Sequence, residues 1–395
     1  MLTPAQLEAM PYEIQQLVDQ LEDDILSDMA NRLVQTDFDK ESFAWQMQKA
    51  QELTKTRESI IKIISRKTGV MESTIEDILK FSAVESLSFD AAIYSMAGLN
   101  PLPIVRSPGF QMLLRAGIEN TKGVMKNWTR TTANTATKQF ENALDRAYMQ
   151  VASGVFSSST AVSRAVSNLA KEGLQSVVYP SGHIDHMDVA ARRAVRTGIA
   201  QTTGALQNQM VKEMGCDLME ITSHLGARPS HAAWQGKIVS LSGKPGYLTQ
   251  SDIGYGTGAG FKGWNCRHDW YPYIEGISFR SAENFDLEEN REVYEATQKQ
   301  RELERKVRAG KRACLADQAA LDGAKTPEEK AALTDQLKRD GMLLKERENK
   351  YSDFTKSYLS RQGGKMTLNP VRREVDGFDK VMAKKIKEMI AKEVV

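Results

Sequence analysis

The sequence predicts a mainly α protein with a small, loop-rich α+β module. Three observations carry this reading. Apolar residues recur at 3.6-residue spacing through the first half, Gly, Pro, Trp and His crowd into residues 224–277, and the tail is highly charged with sparse apolar positions. The expected order is long N-terminal helices (1–97), a central helical region (98–187), a Trp/Arg/His-rich module (188–284) and a charged helical tail, a candidate coiled coil with a basic end (285–395).

The first helix is signalled by Thr3, Pro4 and Gln6, the pattern of a capping box with proline in the first turn. Ile14, Leu17, Val18, Leu21, Ile25, Met29 and Leu33 then mark one apolar face. Further helices are expected over Glu41 to Ser65, Ser73 to Phe81 and Phe89 to Ala97, with no strand alternation in this half. Gly98 to Gly109 holds three prolines and two glycines, so it reads as a loop or hinge. Helix resumes from Phe110 to about Ala152. Its Thr-, Asn- and Ala-rich centre, Asn127 to Phe140, is a poor isolated helix and suits close packing or an interface.

Ser157 to Ser159 precede a helix over Thr160 to Glu172, with Gly173 suited to its C-terminal end. Tyr179 to Gly182 reads as a turn, followed by a long helix from Asp188 to Met214 that Gly215 closes. Leu218 to Thr222, Ile238 to Leu241 and Trp270 to Ile274 are the candidate strands. Leu287 to Ala309 and Thr326 to Leu359 read as long exposed helices, a hairpin turning near Gly310 or near Leu321 to Gly323.

The chain has 395 residues, 41% hydrophobic and 26% charged, as expected of a folded protein in water. No run of about 18 apolar residues suggests a membrane span. The start, MLTPAQLEAMPYE, lacks the layout of a signal peptide, so synthesis and residence in a cytoplasm are expected first. Cys216, Cys266 and Cys314 are too few and too scattered for a disulfide framework. The net charge of +2 hides an asymmetry. Residues 1–100 carry nine Lys/Arg against 17 Asp/Glu, a balance of −8, whereas residues 291–395 carry 25 against 18, a balance of +7.

His224 to Tyr273 holds three of the five histidines and three of the five tryptophans. Three readings of it stand side by side. His224, His231, Cys266 and His268 could form a zinc site, although their spacing is not that of the short paired hooks of common structural zinc sites. His224, Arg228, His231 and His268 could serve a metal-independent nuclease, two histidines as acid and base and an arginine on the phosphate. The favoured reading is structural, with no catalytic residue, no metal and no cofactor. In it Trp234, Trp264, Trp270 and Tyr273 form a core, Arg228 and Arg267 tie loops, and Gly226, Gly236 and Gly263 permit tight turns.

The runs RPSHAAWQGK (Arg228 to Lys237) and GWNCRH (Gly263 to His268) resemble the signature of the Mu-type phage head-morphogenesis proteins. The likeness is closer to the branch called phage minor capsid protein 2. It rests on His224, Gly226, Ala227, Arg228, Pro229, Ser230, His231, Trp234, Gln235, Gly236 and Lys237, and on Gly263, Trp264, Asn265, Cys266, Arg267 and His268. The upstream helix, Ala190 to Gln207, looks similar as well. Two positions depart from the Mu-type pattern: His268 stands where many relatives have cysteine, and Gly198 where that branch usually has glutamate.

The resemblance implies a non-enzymatic minor capsid protein of a tailed bacteriophage, present in few copies at the portal vertex inside the head. Its expected partners are the portal protein, other head proteins and packaged double-stranded DNA, with DNA ejection among its roles. Arg372, Arg373, Lys380, Lys384, Lys385 and Lys387 are the candidate DNA contacts, phosphate-directed and without sequence preference. An assembly chaperone absent from the finished particle, and a nuclease or toxin-type activity in the module, remain as alternatives.

Overall fold

A computed structural model describes residues 1–103, 106–178 and 184–361, together with residues 384 and 388. The architecture is mainly α with two small sheets, as the sequence predicts. Helix α1 (Pro4–Ala9) starts at the capping box. The Gln6 backbone N–H donates to Thr3 Oγ1 at 3.1 Å, and the Thr3 N–H donates to Gln6 Oε1 at 2.8 Å. In α2 (Tyr12–Gln35), Ile14, Val18, Leu21, Ile25, Met29 and Leu33 are buried, which is the expected face; Leu17 is half-buried.

The three helices expected between Glu41 and Ala97 are one helix of 55 residues, α3 (Ser42–Met96). The segment contains no proline and the single glycine Gly69. Buried positions Trp45, Ile60, Ile64, Met71, Ile75, Leu79, Ala83, Leu87 and Tyr94 carry helical periodicity through both expected gaps. After the loop, α4 (Pro108–Ala152) begins with proline in its first turn. Its small-residue centre packs closely, as anticipated: Thr132 is fully buried and donates to Ser176 Oγ at 3.0 Å. Helix α5 (Ser158–Glu172) is capped by Ser157 and ends at Gly173, whose φ of 69° favours glycine.

Strands β1 (Gln175–Val178) and β2 (Ile184–His186) pair antiparallel, a hairpin that the sequence reading omitted. The turn expected at Tyr179 to Gly182 lies outside the described residues. Then come α6 (Met187–Glu213), β3 (Leu218–Ile221), α7 (Pro229–Ala232), β4 (Ile238–Ser240), β5 (Leu248–Thr249) and β6 (Trp270–Pro272). The second sheet has the order β5-β4-β3-β6, with β3 antiparallel to β4 and β6, and β4 parallel to β5.

Helices α8 (Leu287–Gly323) and α9 (Pro327–Arg361) form the tail. Of the two expected turning points, Leu321 to Gly323 is the observed one. Gly310 lies within α8, where a Cβ would meet the Leu344 side chain at 3.1 Å. These helices are less exposed than their charge suggested, because Leu303, Val307, Cys314, Leu337, Leu344 and Tyr351 form a buried seam. Of the basic positions at the end, Lys384 is exposed and helical; Arg372, Arg373, Lys380, Lys385 and Lys387 lie outside the described residues.

The chain divides into two compact units. One comprises Met1–Gln15, Gly69–Asn127 and Val189–Glu295 and contains the four-stranded sheet. Within it α4 and α6 approach through a reciprocal antiparallel contact. A Cβ at Gly117 would lie 2.1 Å from Thr202 Oγ1, and one at Gly198 would lie 2.2 Å from Thr121 Oγ1. Glycine at 198 therefore seats a threonine of the facing helix. Alanine normally stabilises a helix interior by up to about 1 kcal/mol over glycine, but overpacking costs about 1–3 kcal/mol. Gly117→Ala should thus lower stability. Gly123→Ala, in the same helix with nothing within 4 Å, should raise it. Urea denaturation of the pair checks the sign reversal, and equal shifts would remove the close-packing account.

The other unit comprises Gln16–Thr68, Trp128–Asp188 and Ala296–Val395. Here Trp45 is buried and stacks on Tyr148 with centroids 4.4 Å apart. Burial, followed by the charge of Glu22, pushes the Asp23 carboxyl up to about 7. Such a raised acid contributes stability that is full below its unfolded pKa near 3.8 and is lost as pH rises towards 7. Asp23→Asn should therefore stabilise the protein at pH 8 by on the order of 2 kcal/mol and change little near pH 4. Thermal midpoints of both proteins across this range test the prediction. A constant difference would show that Asp23 does not titrate there.

Candidate functional site

The Trp/Arg/His-rich module is built on the four-stranded sheet. Val211, Met219, Ile221, Trp234, Val239, Ile253, Phe261, Cys266 and Trp270 form its buried core. Trp270 is fully buried, with Phe261 at 4.8 Å and Tyr255 at 5.1 Å between centroids. Trp234 packs edge-on to Phe261 at 5.7 Å. The other two aromatics expected in this core differ. Trp264 is 60% exposed, laid over Gly258, and Tyr273 is half-buried. Trp264 follows Gly263, whose missing side chain lets its Cα approach the Thr257 and Gly258 carbonyls. The next residue, Asn265, turns the chain with a φ of 55°.

Two short stretches bring the motif residues together. Arg228 caps α7, Pro229 opens it, and His231 lies on its buried side. The long loop after β5 then returns through Gly263 to His268 and enters β6. The Arg228 guanidinium donates to the Trp264 carbonyl at 2.5 Å, and that of Arg267 to the Gly226 carbonyl at 3.3 Å. Both arginines thus tie loops, as the favoured sequence reading proposes. Gly226 has a φ of 75° and no room for a Cβ beside Val293. Gly236 has a φ of 69°, and its carbonyl accepts from Arg280 at 2.7 Å. Pro229, Ser230 and Lys237 are exposed.

At the centre His231, Cys266 and His268 converge. Their exposures are 2%, 1% and 1%. His231 Nδ1 lies 3.4 Å from His268 Nδ1, and Cys266 Sγ lies 3.9 Å and 3.7 Å from them respectively. His224, the third candidate histidine, stacks on the His268 ring at 4.5 Å, with its Nδ1 3.1 Å from the Leu225 carbonyl. Burial first, then nearby positive charge, holds His224 down at about 3. Burial likewise lowers His231 to about 4 and takes His268 well below its usual range, so the imidazoles are neutral near pH 7. Burial pushes the Cys266 thiol up.

Beside this cluster lies a polar network that the sequence reading missed. Lys262, only 3% exposed, donates to Asp269 Oδ1 at 2.5 Å, Gln207 Oε1 at 2.8 Å and Thr203 Oγ1 at 3.3 Å. Arg196 of α6 is 2% exposed, pairs with Glu8 at 3.1 Å and donates to the Leu7 carbonyl at 3.1 Å. A charged residue buried on a helix looks in sequence like any solvent-facing lysine or arginine. The one available signal was that Arg196 and Gln207 fall within the helix carrying the family resemblance.

The sequence pattern of the family described as phage minor capsid protein 2 matches residues 2–340. A structural protein of Lactococcus phage LL-H is 24% identical over 286 residues, which is 69% of this chain and 77% of that protein. A structural protein of Lactococcus phage mv4 is 44% identical over 72 residues, 18% of this chain and 58% of that protein. No solved structure matches the chain.

Proposed function

The chain belongs to the phage minor capsid protein 2 family, and from that premise we propose that it is a minor structural component of a tailed-phage head that binds the portal protein at the portal vertex. The observation that carries this reading is the length of the family match, residues 2–340, which takes in both units and not the module alone. The relatives' designation as structural proteins supports extending that role to this chain. Among the described residues no helix is long and apolar enough to cross a membrane.

The module supports a binding role over a nuclease role. A metal-independent nuclease needs an accessible acid–base pair around a point that a phosphate can reach. His231 and His268 are at most 2% exposed, and each is hydrogen-bonded to its own loops. Such a site holds a surface rigid. The acidic first hundred residues are the candidate portal-facing segment, and the basic end is the candidate DNA contact.

The test is size exclusion of the full chain with its cognate portal protein, beside DNA-binding assays at about 50 and 200 mM salt. Co-elution with portal and salt-sensitive, sequence-independent DNA binding are expected. A folded sample that associates with neither overturns the proposal. Proteomics of purified virions separates it from the assembly-chaperone reading, which requires absence from the particle.

A further inference from the structure

We propose that His231, Cys266 and His268 form a metal site for one zinc-type cation, held by two imidazole Nδ1 atoms and one thiolate. Their donor atoms lie within 4.8 Å of one another, and all three residues are buried.

The hydrogen bonds around the rings fix which nitrogens face the centre. His231 Nε2 lies 2.9 Å from the Ala259 carbonyl, which can only accept, so Nε2 carries the proton. Gln235 Oε1 accepts from the His224 backbone N–H at 3.0 Å, which identifies that atom as the oxygen. His268 Nε2, 3.2 Å from the same oxygen, must therefore be a donor as well. Both neutral rings thus present an unprotonated Nδ1 to the centre, 3.4 Å apart. Two lone pairs face each other there beside a sulfur. A thiol proton can satisfy only one of them, and an unmet buried acceptor is costly. A cation between the three satisfies all of them.

The distances fit such an ion. With bonds of about 2.0–2.1 Å to nitrogen and about 2.3 Å to sulfur, a tetrahedral to trigonal site spaces its nitrogens about 3.3–3.5 Å apart and nitrogen from sulfur about 3.6–3.8 Å. The observed separations are 3.4, 3.7 and 3.9 Å. The point equidistant from the three donors is about 2.1 Å from each, a bonding distance for that ion. Mixed imidazole and thiolate donors select zinc-like, borderline-soft metals over magnesium or calcium. The supporting shell is present too, since each ligating ring donates its far N–H to a fixed oxygen. Trp234 closes over both rings, with centroids 4.4 and 4.9 Å away. Three protein donors leave a fourth position for water or an exogenous ligand.

The full chain, stripped with chelator and shown by circular dichroism to be folded, should bind one equivalent of Zn(II). Co(II) should produce a thiolate-to-metal charge-transfer band together with visible d–d bands. Cys266→Ser should abolish the charge-transfer band and weaken zinc binding about tenfold or more. Cys216→Ser, a thiol outside the cluster, should keep both. Because Cys266→Ser could itself disturb folding, the wild-type cobalt spectrum is the deciding measurement. A folded wild type that binds no stoichiometric zinc, or whose cobalt complex lacks the thiolate band, overturns the proposal. So does a band that survives in folded Cys266→Ser.

Discussion

Asp269→Ala should destabilise the protein by about 3–5 kcal/mol, the cost of leaving one partner of a buried ion pair alone. Asp269 is 1% exposed and Lys262 3%. Burial works against the Asp269 carboxylate, but the Lys262 ammonium, the N-terminal ammonium and the hydrogen bonds from Lys262 and the Leu2 N–H together outweigh it and hold the pKa below the usual range. One oxygen of the carboxylate receives Lys262 and the Trp270 backbone N–H at 2.9 Å; the other receives the Leu2 N–H at 2.5 Å. Alanine would strand the ammonium among Gln207 and Thr203, with one neutral oxygen from each and no counter-charge. The matched double variant Lys262→Met with Asp269→Leu removes both charges at similar volume and should recover part of the loss, the remainder being the unmet Leu2 and Trp270 N–H groups. Urea denaturation of the three proteins decides. A single variant within about 1 kcal/mol of wild type would show that water already reaches the pair.

How much of this was legible in the sequence depends on what each residue's signal is made of. The capping box at Thr3 and the buried face of α2 were readable because they are local patterns of side-chain spacing. The ends of α5 and α6 were readable because Gly173 and Gly215 adopt positive φ, which glycine accepts freely. The unbroken α3 was not, because polar stretches such as Ser65 to Gly69 resemble breaks when the buried residues on either side are unknown. The β1–β2 hairpin is only four and three residues long, too short for alternation to stand out.

The module shows the same division more sharply. Its arginines, glycines and histidines stood out as a group, since such a concentration of turn-forming and ring-bearing residues has few uses. Their grouping in space was not legible. His231 and Cys266 are separated by 34 residues of loop and strand, and no spacing rule spans such a distance. Trp264 and Trp270 are equivalent by composition, yet one is 60% exposed and the other 0%. The difference comes from the left-handed turn at Asn265 and from the sheet register that pairs Trp270 with Ile221.

That register makes Trp270 the most consequential single side chain of the module. Trp270→Ala should cost about 3–5 kcal/mol, as deletion of a large aromatic from a closed core does. Trp270→Phe should cost less than about 1.5 kcal/mol. The reason lies in the indole N–H, which is buried without a hydrogen-bond partner among the described residues. Phenylalanine gives up contact with Tyr255 and Phe261 but also removes an unmet donor, and the two changes oppose each other. The backbone carbonyl of residue 270 still accepts from Gln207 at 2.8 Å in both variants, so the side chain alone is tested. Chemical denaturation of the wild type and both variants separates the outcomes. Equal losses from both variants would mean that the indole fills a role phenylalanine cannot replace, and that its N–H is satisfied after all.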